Sequence, residues 1–145
     1  MSNATALKFG FPQSLVAETA HWLVLVRPKQ PTFGSLVLVC KEPVQAFSDL
    51  SAAAFADLQA AVRGIERLLR KAVAYEKINY LMLMMVDLDV HFHVIPRYEG
   101  VRHNGGQAFP DAGWPGVPAL AEAVDLAPET LAGLAQAWRR EWRAA

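Results

Sequence analysis

The chain has 145 residues, 53% of them hydrophobic and 19% charged, which excludes a disordered polypeptide and fits one packed domain over residues 1–145. Fourteen Lys and Arg balance fourteen Asp and Glu, so no general attraction to nucleic acid or to a membrane surface is expected, and any anion has to be caught locally. A single cysteine, Cys40, excludes an intrachain disulfide; no apolar run reaches transmembrane length and no leader pattern opens the chain, so a cytoplasmic setting is expected.

Residues 1–12 are mixed in character and are expected to be loose at the start of the chain. From Ser14 the residues alternate through Trp22, Val24 and Val26, which predicts one strand or two short ones ending at Pro28. Pro31 to Gly34 reads as a turn, and Ser35 to Cys40 as a nearly all-apolar strand of a sheet interior. These runs predict an antiparallel meander with short connections. Ser51 then stands as an N-cap, and Ala54, Leu58, Ala61, Ile65, Leu68 and Leu69 recur at helical spacing up to about residue 75. Ile78 to Val86 is apolar at every position but Asn79 and predicts a central strand covered on both sides. After residue 98, Gly and Pro predict a long loop without regular structure, with a short helix over 118–124 and a better one over 128–142.

The stretch richest in chemistry runs from Asp87 to Tyr98 and reads DLDVHFHVIPRY. Read as one strand, it puts Asp89, His91, His93, Ile95 and Arg97 on one face, and Val90, Phe92, Val94 and Pro96 on the face a sheet buries. Three readings of the histidine pair stay open on the strand alone. A neutral imidazole, with its ordinary pKa of about 6.5, is a good nucleophile and leaving group for phosphoryl or nucleotidyl transfer. Two imidazoles with a carboxylate can bind a divalent metal. The two can also be polar residues on the solvent face of an edge strand.

The order of meander, long helix, KINYLMLMMV strand and VHFHVIPR segment resembles the histidine triad (HIT) superfamily over roughly residues 12–100, and within it bacterial proteins described as diadenosine polyphosphate hydrolase-like. The family motif is three histidines at alternate positions with apolar residues between and after them, often followed by Pro-Arg. Here VHFHVIPR carries the last two histidines and that tail. The resemblance implies an α+β fold of about five antiparallel strands, one long helix and a C-terminal helix, with residues 101–145 added to the core and a homodimer whose sheet continues across subunits. It also implies a small-molecule nucleotide or phosphate ester as substrate and no required metal cofactor. His91 would attack the α-phosphorus to form a covalent nucleotidyl-imidazole that water cleaves, and His93 would hydrogen-bond the phosphate. Arg97 closes the same face and could meet an anion.

Four positions depart from the family pattern. Asp89 replaces the first histidine, Met85 replaces an amide side chain, Arg27 falls where an Asp or Asn meets the ribose, and Ser35 replaces a histidine after the turn glycine. A carboxylate about 6 Å from a singly charged phosphate repels it by roughly 3 kcal/mol at an effective dielectric of about 20. On this reading Asp89 modulates the site by pairing with an imidazolium, taking a proton or sharing a cation with the substrate, and Arg27 and Ser35 contact the substrate. A binding protein with little or no turnover, or a metal site of Asp89, His91 and His93, is the alternative.

Overall fold

The computed structural model of the chain describes residues 3–145; residues 1 and 2 lie outside the described residues. The meander forms as the alternation predicts. Strands β1 (Leu15–Glu18) and β2 (Trp22–Val26) pair antiparallel around the turn at residues 19–21, and a two-residue strand, β3 (Lys29–Gln30), leads through the Gly34 turn into β4 (Leu36–Cys40). All five residues of β2 and of β4 are buried, because the central strands are covered on both faces.

Helix α1 (Ala4–Lys8) corrects the expectation of a loose start for the described part of residues 1–12, and for residues 1 and 2 that expectation lies outside the described residues. Asn3 caps the helix, its side chain accepting from the Ala6 N–H and donating to the Cys40 carbonyl. Five residues show no helical period, so the sequence gives no sign of it beyond the Asn. Helix α2 (Ala52–Val73) begins at Ser51, whose hydroxyl accepts from the Ala54 N–H, a cap worth about 1 kcal/mol. It ends on Ala74 in the left-handed region.

Strand β5 (Lys77–Leu81) is shorter than the apolar run suggests, and it lies at the sheet edge with β6 (His91–Arg97) inside it. The five strands run β1-β2-β4-β6-β5, all neighbours antiparallel. Residues 82–90 form a loop, with Met85 82% and Val86 77% exposed. The partner strand sets this limit: Leu81 pairs with His93, and β6 extends only two residues beyond that point.

The segment after Tyr98 has more regular structure than its Gly and Pro content predicts. β7 (Val101–Asn104) and β8 (Gln107–Pro110) form a hairpin over Gly105 and Gly106, both at positive φ, as a two-residue turn of the primed type requires. In place of the short helix expected over 118–124, the chain turns and pairs β9 (Val124–Asp125) with β3. Helix α3 (Pro128–Ala144) closes the fold.

The two sheet faces bury different things. Trp22, Val24, Val26, Leu36, Leu38 and Val94 meet the apolar stripes of α2 and α3 in the main core. Leu23, Leu25, Val37 and Val39, on the opposite face, pack under Ala6 and Phe9 of the N-terminal segment. The histidines of β6 share this second face. Among the described residues no helix is long and apolar enough to cross a membrane.

Candidate functional site

His91 and His93 rise from the middle of the sheet because β4 supplies a flat apolar floor beside them. Val39 is the register partner of His91 and Val37 that of His93. The imidazole centroids are 5.1 Å apart and nearly perpendicular, and the Phe9 ring lies 6.2 Å from the first and 5.7 Å from the second. The pair is therefore covered by the N-terminal segment, with His91 2% and His93 8% exposed.

Hydrogen bonds assign the two rings different jobs. His91 Nδ1 lies 2.6 Å from the Asp89 carbonyl oxygen, which can only accept, so Nδ1 carries the proton and Nε2 keeps its lone pair. Nε2 has no partner among the described residues. The one buried side-chain nitrogen or oxygen there without a partner is His21 Nδ1, so His91 Nε2 is within reach of solvent. In His93 the polarity is reversed. Its Nδ1 accepts from Arg27 Nε at 3.4 Å, which leaves Nε2–H as a donor. Burial, the nearby Arg27 guanidinium and His91 push the His93 pKa down to about 4, so this ring is neutral near pH 7.

Arg27 thus stands against His93, whose ring lies 5.1 Å from that of His91. It follows β2 on the histidine face, its Nη1 donates to the Lys29 carbonyl at 2.7 Å, and burial lowers its pKa. With Lys8, Phe9, Pro28, Lys29, Val86, Asp87 and His93 it lines a cavity of about 340 Å³, a size that suits a small ligand.

Asp89 is placed differently from the strand reading. β6 begins at His91, so Asp89 belongs to the preceding loop and does not extend the row of side chains on the strand face. Its carboxylate accepts from the Thr5 N–H at 3.1 Å and its own N–H donates to the Thr5 hydroxyl at 3.3 Å. The acid holds α1 down, and its backbone carbonyl orients His91. Among the described residues no group of three His, Cys, Asp or Glu side chains converges in a way that could hold a metal ion. The grouping of Asp89, His91 and His93 as a metal site therefore finds no matching geometry.

Ser35 and Arg97 are not brought to the cavity. Ser35 is fully buried and its hydroxyl donates to the Thr32 carbonyl, which closes the turn before β4. Arg97 forms a buried two-point pair with Asp111, at 2.7 and 3.1 Å, and also donates to Asn79 Oδ1 and the Gly116 carbonyl. It ties the end of β6 to the loop after β8 and borders a different cavity, lined also by Lys77, Leu81 and Trp114. Phe9, Lys8 and Asp87 are the site residues that the sequence did not single out. Phe9 and Lys8 arrive on an element without periodicity, and Asp87 reads only as the first residue of the histidine stretch.

Comparison with known proteins agrees with this fold. The family model described as HIT domain matches residues 10–100. A histidine triad (HIT) protein from Sinorhizobium meliloti 1021 superposes with a TM-score of 0.73 at 22% identity, covering 97% of this chain and 95% of that one. Plasmodium falciparum diadenosine triphosphate hydrolase superposes with a TM-score of 0.70 at 12% identity, over 92% of this chain and 78% of that one. The C. elegans NitFhit protein superposes with a TM-score of 0.66 at 20% identity over 88% of this chain, which spans 27% of NitFhit. At these identities the likeness establishes the fold. No match is found among curated proteins.

Proposed function

The chain belongs to the HIT domain family, and from that premise we propose that it is a hydrolase or transferase of nucleotides or related phosphate esters, working through a covalent nucleotidyl group on His91. One observation carries the reading: the Nδ1–H of His91 is committed to the Asp89 carbonyl, so the lone pair sits on the unpartnered Nε2. In the first step Nε2 forms a bond to phosphorus, and the bond from phosphorus to the leaving group breaks with its electrons on the leaving group. The imidazole then carries a positive charge that the Asp89 carbonyl, still accepting from Nδ1–H, stabilises. Water next attacks phosphorus, the P–N bond breaks with its electrons returning to Nε2, and the proton of the attacking water is lost to solvent. The neutral His93, donating through Nε2–H, holds a phosphoryl oxygen in both steps. No metal enters this scheme.

The experiment is to mix the protein with an adenosine 5′-phosphoramidate or a dinucleoside polyphosphate, quench, and map the adduct by mass spectrometry. A nucleotidyl group on the peptide containing His91, absent in His91→Ala along with turnover, is expected. Turnover undiminished in His91→Ala overturns the reading. A second reading, nucleotide binding without turnover, is favoured by the use of the Asp89 carboxylate on α1 in place of an imidazole. Nucleotide binding with no adduct and no product would establish it.

The proposal includes a cytoplasmic homodimer. Among the described residues the outer edge of β5 has no strand partner, and Leu83, Met85, Val86 and Leu88 are exposed on the loop that follows it. Light scattering that gives the mass of one chain at working concentration would refute the dimer.

A further inference from the structure

We propose that the ligand of this site carries a second anionic group, distinct from the phosphorus met by His91, and that Arg27 is the residue that selects for it. The inference rests on the reading of His91 as the phosphorus-binding nucleophile. It begins from an imbalance in the cavity wall. Three cations line the cavity, and two of them already have counter-ions: Lys8 pairs with Asp87 at 2.9 Å and Lys29 with Asp125 at 3.0 Å. Arg27 has no carboxylate within ion-pair distance among the described residues, although it is half-buried. A guanidinium taken out of water without a counter-charge is costly, and folded chains ordinarily pair such groups.

What holds Arg27 in place also decides what it can bind. Nε donates to His93 Nδ1 and Nη1 to the Lys29 carbonyl, so the side chain is fixed by two neutral acceptors. Nη2 has no partner among the described residues and is not a buried orphan, so it remains open to solvent. A fixed, open guanidinium is suited to a carboxylate or phosphate oxygen, and its geometry favours a charge-assisted bond. The group it meets is separate from the scissile phosphoryl. Arg27 occupies the Nδ1 side of His93, whereas the hydrogen that His93 can offer a phosphoryl oxygen is on Nε2, across the ring. Phe9, Pro28 and Val86 complete an apolar wall beside the cation. The lowering of the Arg27 pKa by burial is the cost that a bound anion relieves.

The second anion is a further phosphate, and it can sit on the sugar of the bound nucleotide or on the chain leading to the leaving group. Calorimetric titration of the parent with AMP, ADP and adenosine 3′,5′-bisphosphate separates these sources. Either ADP or the bisphosphate is expected to bind about tenfold more tightly than AMP. A preference for ADP assigns the leaving-group side, and one for the bisphosphate assigns the sugar. In Arg27→Gln, with folding checked by circular dichroism, the preference over AMP should fall below about threefold. Equal affinity of the parent for all three ligands overturns the inference while leaving the role of His91 standing, and so does a preference that survives Arg27→Gln. No binding of any of the three, with no adduct on His91, overturns both.

Discussion

The carboxylate of Asp89 accepts the N–H of Thr5, and the hydroxyl of Thr5 accepts the N–H of Asp89, a reciprocal pair that spans 84 positions of sequence. Asp89 thus serves as a distant cap for α1. Asp89→Ala is expected to free the Thr5 amide, speeding its hydrogen exchange about tenfold and costing roughly 1–2 kcal/mol of stability. Asp89→Asn keeps an acceptor oxygen and should protect Thr5 nearly as well. Exchange at Thr5 that is unchanged in the alanine variant would show that α1 does not depend on this bond.

His93 gives the site a defined response to acid. Its pKa is about 4 in the folded chain, against an ordinary value of about 6.5 in the unfolded one. The unfolded chain therefore binds the proton first, and this group's contribution to stability, whole above about pH 6.5, is lost as the pH falls towards 4. Proton NMR should find the His93 ring neutral at pH 5.5. In Arg27→Gln, which removes the second cause of the shift after burial, its titration should move up. A His93 that titrates near 6.5 in the parent would refute the assignment of this ring as a neutral donor.

Arg97 and Asp111 form the most deeply buried ion pair among the described residues, with side chains 4% and 1% exposed. Arg97→Met leaves the Asp111 carboxylate without its partner in the interior and should cost about 3–5 kcal/mol in urea unfolding. Replacing both, Arg97→Met with Asp111→Leu, should recover part of that loss. If the single variant loses less than about 1 kcal/mol, the pair is not what fastens the loop to β6.

Gly34 is constrained twice over. Its φ of +93° lies in the region that disfavours other residues, and a Cβ there would lie 2.6 Å from Val73 Cγ2. Gly34→Ala should cost roughly 2–4 kcal/mol, adding backbone strain to overpacking. A melting temperature equal to that of the parent would show that the turn relaxes.

The parts of this fold legible in the sequence are those that repeat. β1 and β2 follow from alternation, β4 from an unbroken apolar run, α2 and α3 from helical spacing, and the histidine segment from its imidazoles at alternate positions. Apolar character alone misled between Met82 and Val86, because those residues are as hydrophobic as a buried strand yet have no partner strand beside them. Gly105 and Gly106 read as breakers when they are the turn of a hairpin. The neighbourhood of the two rings and Arg27 follows from the sequence, since positions 27, 91 and 93 fall on one face of the sheet. The direction of the Asp89 side chain does not, since it depends on Thr5, a contact no local pattern encodes. Arg97 lies instead against Asp111 and Ser35 against Thr32, since neither a strand face nor a family register gives the partner a side chain meets.

Two walls of the cavity, Phe9 and Lys8, belong to the end of a five-residue helix anchored by Asn3, the Asp89–Thr5 pair and the Lys8–Asp87 bridge. So short a helix cannot persist without its docking. Ligand occupancy and the attachment of the chain's first turn therefore share one free energy. Whatever fills the cavity slows the fraying of residues 3–9, and by reciprocity any change that loosens those residues weakens the ligand by the same factor.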